Sequence, residues 1–250
     1  MTQPYADKAE AILLDIEGTT TPVDYVFGVL FPFARDRLES FLAENSQDEE
    51  VRTDLAMLRQ EYETDISQGG DIPQWQGENP IAQRARCAFA AVPYIHHLID
   101  LDRKSTGLKS LQGKIWHQGY LEGTLRSQMF ADVKSAFDRW TEAGKQVFIF
   151  SSGSIQAQKI LFRYSDAGDL SNFLRGYFDT TTGPKKETDT YHKIARAIWF
   201  PPGTILFISD VIAELKAAHA AGMQTLFSRR PGNHTSDSEG FRAIASFDQV

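Results

Sequence analysis

The chain contains one cysteine, Cys87, among 250 residues. Without a second thiol an internal disulfide is excluded, which fits a reducing compartment, and a small buried apolar role is expected for that side chain. No apolar run reaches the roughly 18 residues of a membrane-spanning helix, so no membrane partner is expected. No long basic stretch is present and the formal net charge is −7, which makes nucleic acid a poor partner. The segment Met1 to Glu10 is polar and acidic, without the basic-then-apolar order of a secretory leader, and a cytoplasmic location is expected. No internal repeat or low-complexity tract stands out. The six histidines offer little chemistry: His96 and His97 are adjacent and diverge on a helix, and His117, His192, His219 and His234 are scattered, so surface or capping roles are expected.

What is present is an ordinary globular mixture, 42% hydrophobic and 24% charged, long enough for one large domain or for a core that carries a smaller one. Short apolar runs at Ala11 to Leu14, Gln146 to Phe150, Thr204 to Ile208 and Met223 to Phe227 have the composition of strands buried on both faces. A weaker strand is expected at Gly176 to Asp179. Between the runs lie helix-length segments: Ala131 to Ala143 before Gly144, Ile155 to Arg163, Glu187 to Trp199 before Phe200-Pro201-Pro202, and Val211 to Ala221 before Gly222. This alternation predicts an α/β fold with a parallel sheet covered by helices.

The stretch from Val23 to about Arg126 reads differently. It has helical spacing at Val26, Val29, Leu30 and Phe33, then at Val51, Leu55, Leu58 and Tyr62, with a turn-rich break at Gly69-Gly70 near Pro73 and Pro80. A helical insert is therefore expected over 23–126, with residues 1–22 and 127–250 forming the α/β core. Core packing is expected for Trp75, Tyr94, Trp116 and Tyr120, with the lining of an apolar pocket as the second possibility.

Ligands of open parallel sheets bind beyond the carboxyl ends of the strands. That rule selects Asp15, Ser151 and Asp210, each at or just past the end of an apolar run. Asp15 and Glu17 are two apart and can point into one site, with Gly18 letting the backbone turn. A carboxylate can attack phosphorus, and a second carboxyl can protonate the leaving oxygen and then activate water. Asp210 suits magnesium, which takes one or two carboxylates, phosphate oxygen and waters; Asp15, Asp210 and one backbone carbonyl would serve. Glu214, one helical turn on, can reach a metal-bound water or a lysine. Ser151 offers a hydroxyl, Gly153 and Ser154 offer amides at a helix N-terminus, and a lysine at 185 or 186 offers positive charge for phosphoryl oxygens. Composition alone does not choose between the two lysines. The alternatives are turn formation for Asp15, helix capping for Asp210 and a solvated surface charge for the lysine.

These four segments resemble the four motifs of the haloacid dehalogenase-like (HAD) hydrolases, which implies a Rossmann-like core with a helical cap. Most HAD phosphatases carry Asp two residues after the nucleophile, and here the residue is Glu17. The run Leu14-Asp15-Ile16-Glu17-Gly18-Thr19-Thr20-Thr21-Pro22 is similar to the enolase-phosphatases of methionine salvage (acireductone synthases). So are Leu111-Gln112-Gly113 to Trp116, Gln118-Gly119-Tyr120, Ser151 to Ser154 with Ala157-Gln158-Lys159, and Arg230-Pro231-Gly232-Asn233. The resemblance implies enolisation and then dephosphorylation of 2,3-diketo-5-methylthiopentyl-1-phosphate. It implies Asp15 as nucleophile and magnesium ligand, Glu17 as acid/base and ligand through its carbonyl, and Asp210 as third ligand. It further implies Ser151 and Ser152 on substrate, Lys185 rather than Lys186 on phosphate, and a monomer. Glu17 is the candidate base for enolisation, since its side chain is longer than that of Asp and need not bind metal. Phosphatase action on another small phosphate ester, or a HAD-fold binding protein without catalysis, are the competing readings.

Overall fold

The computed structural model describes residues 8–75, 88–103, 105–233 and 237–250; Pro80, Cys87 and His234 lie outside them. The chain divides into two compact units, Met1–Val26 with Leu125–Val250, and Phe27–Thr124.

The first unit is built on a six-stranded sheet in the order β3-β2-β1-β4-β5-β6. Its strands are β1 (Ala11–Leu14), β2 (Gln146–Phe150), β3 (Leu174–Phe178), β4 (Ile205–Ser209), β5 (Gln224–Ser228) and β6 (Ala243–Ile244). Every neighbouring pair is parallel. The register sets Leu14 opposite Ile149 on one side and Ile208 on the other, so the carboxyl ends of β1, β2 and β4 finish together. From β1 the chain builds outward through β2 and β3, then returns to add β4, β5 and β6 on the opposite side. The strand order therefore reverses beside β1, and a crevice at the carboxyl ends is the topological consequence.

Alternation along the strands gives each face its own apolar layer. On one face Ala11, Leu13, Phe148, Phe150, Ile205 and Phe207 are buried in one cluster with Tyr191, Ile194, Leu215 and Ala218. The last four come from two helices, Thr188–Ile198 and Ile212–Ala220. Tyr191 stands between Phe150 and Phe207, with ring centroids 5.7 and 5.1 Å away. Helices Val133–Glu142 and Ile155–Arg163 complete the crossovers. The weak strand expected at 176–179 starts two residues earlier and ends one earlier, at Leu174–Phe178, and β6 had no counterpart in the sequence reading.

The second unit is helical and has its own core. Its helices are α1 (Phe31–Asn45), α2 (Glu49–Ser67), α3 (Val92–Asp100) and α4 (Thr106–Leu121). Leu38, Leu42, Val51, Leu58, Tyr62, Tyr94, Ile95, Leu98, Leu111 and Ile115 are buried together. Val51, Leu58 and Tyr62 follow the expected spacing, and Leu55 is half-buried. The first expected helical period fails in detail, because Val26–Leu30 forms a π turn that widens the spiral and leaves Val29 and Phe33 only half-buried. Trp75, Tyr94 and Tyr120 are buried. Trp116 is half-buried, stacks on Phe31 at 6.2 Å and donates Nε1–H to the Leu30 carbonyl at 2.8 Å. The five described histidines are all half-buried or exposed.

Candidate active site

Asp15 directly follows β1 and is buried, so its carboxylate needs partners that replace water. It has three. Lys185 Nζ lies 2.6 Å from Oδ1, the Ile16 amide donates to Oδ1 at 2.8 Å, and the Ser209 hydroxyl donates to Oδ2 at 3.2 Å. Lys185 also reaches Glu214 Oε2 at 2.9 Å, with its side chain only 9% exposed. Burial would lower the lysine pKa, but the charges of Asp15 and Glu214 outweigh it and raise the value, so the ammonium is held. The adjacent Lys186 is exposed, which separates the two lysines by geometry.

The Lys185 loop is fastened from below. Tyr191 donates its hydroxyl to the Lys185 carbonyl at 2.7 Å, and Thr190 donates to the Pro184 carbonyl at 2.8 Å. Ring packing on Phe150 and Phe207 thus fixes the height of a charged side chain at the strand ends.

Asp210 follows β4 and sits against the turn after β1. Gly18 adopts φ +69°, and a Cβ built there would overlap the Asp210 carboxylate and crowd the Asn233 amide. Only glycine allows this approach. The Gly18 carbonyl is held by the Ser228 hydroxyl at 2.9 Å and by Asn233 Nδ2 at 2.8 Å. Asp210 does not cap the following helix; Val211 is the cap residue, and its amide donates to Ser209 Oγ at 3.1 Å. Burial, then the Asp15 charge, push the Asp210 carboxyl up to about 7 against the pull of Lys185. Glu214 is likewise raised to about 7, first by burial and then by Asp15. The raised values mark carboxyls crowded by burial and by the Asp15 charge.

Ser151 directly follows β2 and is buried, with Oγ 3.5 Å from Glu17 Oε2. Asp15, Glu17, Ser151, Lys185, Asp210 and Glu214 are thereby brought to one end of the sheet, and Ser152 is half-buried in the loop that follows β2. One expectation changes here. The Gly153 amide, expected to face an anion, donates to Ser151 Oγ at 3.2 Å, and the Ile155 amide donates to Asp179 Oδ2 at 3.3 Å. Short polar side chains within reach close these rings locally.

Ser209 is a participant that the sequence reading passed over. Its Oγ lies 3.2 Å from Asp15 Oδ2 and 3.0 Å from Glu214 Oε2, which closes a ring with Lys185. Its place immediately before Asp210 at a strand end was the available signal. Gln158, Tyr191 and Asn233 hold main-chain carbonyls; Gln158 and Asn233 stood in the segments that carry the family resemblance, and Tyr191 gave no signal.

A family model described as haloacid dehalogenase-like hydrolase matches residues 9–222. The chain is 56% identical over 239 residues to the Enolase-phosphatase E1 of Synechococcus elongatus, covering 96% of each protein. It is 42% identical to a probable bifunctional methylthioribulose-1-phosphate dehydratase/enolase-phosphatase E1 of Vitis vinifera, covering 96% of this chain and 46% of that one. Among solved structures, the UTR4 protein of Saccharomyces cerevisiae superposes with TM-score 0.75 at 30% identity, covering 97% of this chain and all of that one.

Proposed function

The chain belongs to the haloacid dehalogenase-like hydrolases and, within them, to the enolase-phosphatases, and from that membership we infer what its site does. It converts 2,3-diketo-5-methylthiopentyl-1-phosphate to the acireductone 1,2-dihydroxy-3-keto-5-methylthiopentene in methionine salvage, by enolisation and then dephosphorylation. The observation that carries this reading is the 2.6 Å contact of Lys185 with Asp15 at the sheet's reversal point. It puts a carboxylate nucleophile beside a fixed positive charge suited to phosphoryl oxygens.

The residues fit a divalent cation, for which magnesium is the proposal. The Asp15 and Glu17 charges both act on Asp210 beside one ammonium, and Gly18 leaves room for the Asp210 carboxylate. Among the described residues no three His, Cys, Asp or Glu side chains form a ready metal cluster. Asp15, Asp210 and the Glu17 carbonyl would hold the ion, with water and substrate oxygen as its remaining ligands. When bound, it neutralises the carboxylates and withdraws charge from oxygen.

Glu17 takes the proton beside the diketone, and Lys185 supports the resulting enolate. Asp15 then attacks phosphorus, and the bond from phosphorus to the substrate oxygen breaks. Glu17 supplies a proton to that oxygen, leaving an aspartyl-phosphate. A water that Glu17 deprotonates attacks the same phosphorus, releases phosphate and frees Asp15, and the proton so gained by Glu17 passes to the enolate oxygen. Ser151 and Ser152 bind the phosphoryl oxygens, and Glu214 and Ser209 keep Lys185 and Asp15 in register. Resemblance and the single cysteine support a cytoplasmic monomer. Among the described residues no helix is long and apolar enough to cross a membrane.

Phosphorus and proton NMR of the diketo phosphate with enzyme, with and without magnesium, tests the reading. Enol signals followed by free phosphate are expected only with the metal. Release of phosphate from many sugar phosphates, with no enol from the diketone, would overturn it.

A further inference from the structure

We propose that Gln158 is a positioning residue that holds the Ser151-Ser152-Gly153 loop in its substrate-binding shape. Gln158 lies one turn into the helix Ile155–Arg163, whose N-cap is Ser154, and is 1% exposed. From that position its side chain points back toward the helix start, over the loop. Its amide nitrogen has two hydrogens, and both are used. One goes to the Gly153 carbonyl at 2.7 Å and the other to the Phe178 carbonyl at 2.9 Å. The Phe178 carbonyl also accepts the Ser151 amide at 3.2 Å. Gln158 thus grips the loop on both sides of Ser152: at Gly153 directly, and at Ser151 through the acceptor they share.

The amide orientation is fixed, since only an NH2 group satisfies two carbonyls. The consequence is that Oε1 is buried and, among the described residues, has no hydrogen-bond partner. An orphaned buried acceptor is a cost that an apolar side chain of similar length would avoid. The glutamine is therefore poorly explained by packing. Its two bonds end on main-chain carbonyls that flank the proposed phosphate-binding serines. Without them the loop loses two of the bonds that hold its main chain, while the Ser151 amide bond to Phe178 and the Gly153 amide bond to Ser151 Oγ remain. The Ser151 hydroxyl is then freer to turn away from Glu17.

This inference rests on the reading that Ser151 and Ser152 bind the phosphoryl group, and the test separates the two. Gln158→Met keeps length without donors, and Gln158→Glu keeps shape with at most one donor in place of two. With p-nitrophenyl phosphate and magnesium, both variants are expected to raise KM about tenfold, the loss of roughly one hydrogen bond. Inhibition by inorganic phosphate should weaken by the same factor, while kcat changes less. Amide hydrogen exchange should quicken at 151–153 and stay unchanged in the sheet. Two outcomes overturn the proposal: folded variants with wild-type KM, phosphate inhibition and loop exchange, or loss of the fold in both variants, which would make Gln158 purely structural. If the wild-type protein hydrolyses no phosphate ester, the reading of the site fails, and the exchange measurement still decides whether Gln158 holds the loop.

Discussion

Gly18 and Asp210 compete for one place: a Cβ on residue 18 would overlap the Asp210 carboxylate, which lies 192 positions later in the chain (210 − 18). The turn after the first strand and the end of the fourth are in direct contact at that point, and the contact depends on an absent side chain. Gly18→Ala should therefore displace Asp210 or the turn. A left-handed alanine costs about 1–2 kcal/mol of stability, and kcat/KM should fall about 100-fold from the misplacement. Steady-state kinetics with a parallel denaturant melt check both. A folded variant with full activity would remove Asp210 from the site.

Lys185→Met tests the ammonium. The stem remains, but Asp15 and Glu214 lose the cation they share. A fall in kcat/KM of about 100- to 1000-fold is expected, the scale of a lost preorganised donor. Lys185→Arg should rescue little, because a planar guanidinium does not reproduce a compact charge bonded to two carboxylates. Both comparisons use p-nitrophenyl phosphate hydrolysis.

Glu17→Gln separates the two proposed steps. The side chain lies near the Ser151 hydroxyl and acts electrostatically on Asp210. Loss of its proton chemistry should stop enol formation from the diketone and slow phosphate release from any ester by about 100-fold or more. Enol absorbance and phosphate release are followed together. Full enolisation with lost hydrolysis would assign the first base elsewhere.

Acid stability should depend on Asp132. Burial raises its carboxyl, but bonds from Arg230 at 2.7 Å and from the Phe247 amide, with the Arg230 charge, outweigh it and hold the value below normal. A depressed folded-state pKa stabilises above the unfolded value and is lost as pH falls through the folded one. Asp132→Asn should therefore cost about 3 kcal/mol at pH 7. The gap should close on acidification below about pH 4, the ordinary aspartate value. Urea melts at pH 7, 4 and 3 measure it, and a gap that is independent of pH would refute the linkage.

The sheet was readable where burial wrote a continuous apolar run. Ala11–Leu14 and Gln146–Phe150 match the structure residue for residue, because both faces of these central strands are covered. Leu174–Phe178 was shifted in the reading, since this edge strand contains Arg175 and Gly176 and is half-exposed. Ala243–Ile244 is too short to show a period at all. Asp15, Ser151 and Asp210 stood out because polar residues at the ends of apolar strands are conspicuous, whereas Lys185 was separated from Lys186 only by the family resemblance. Ser209 and Tyr191 did not stand out, and Gln158 did so only inside a family motif, not for the bonds it makes. Tyr191 and Gln158 bond to main-chain carbonyls, which no residue pattern encodes, and Ser209 reads as the last residue of a strand until its neighbours are seen.

The nucleophilic role of Asp15 is the point on which the rest depends. Rapid acid quenching of the enzyme during turnover with magnesium, followed by peptide mass spectrometry, tests it directly. One phosphoryl group on the peptide that contains Asp15 is expected, absent without substrate and absent in Asp15→Asn. Release of phosphate by Asp15→Asn at the wild-type rate, or a phosphoryl group found only on another residue, would contradict it.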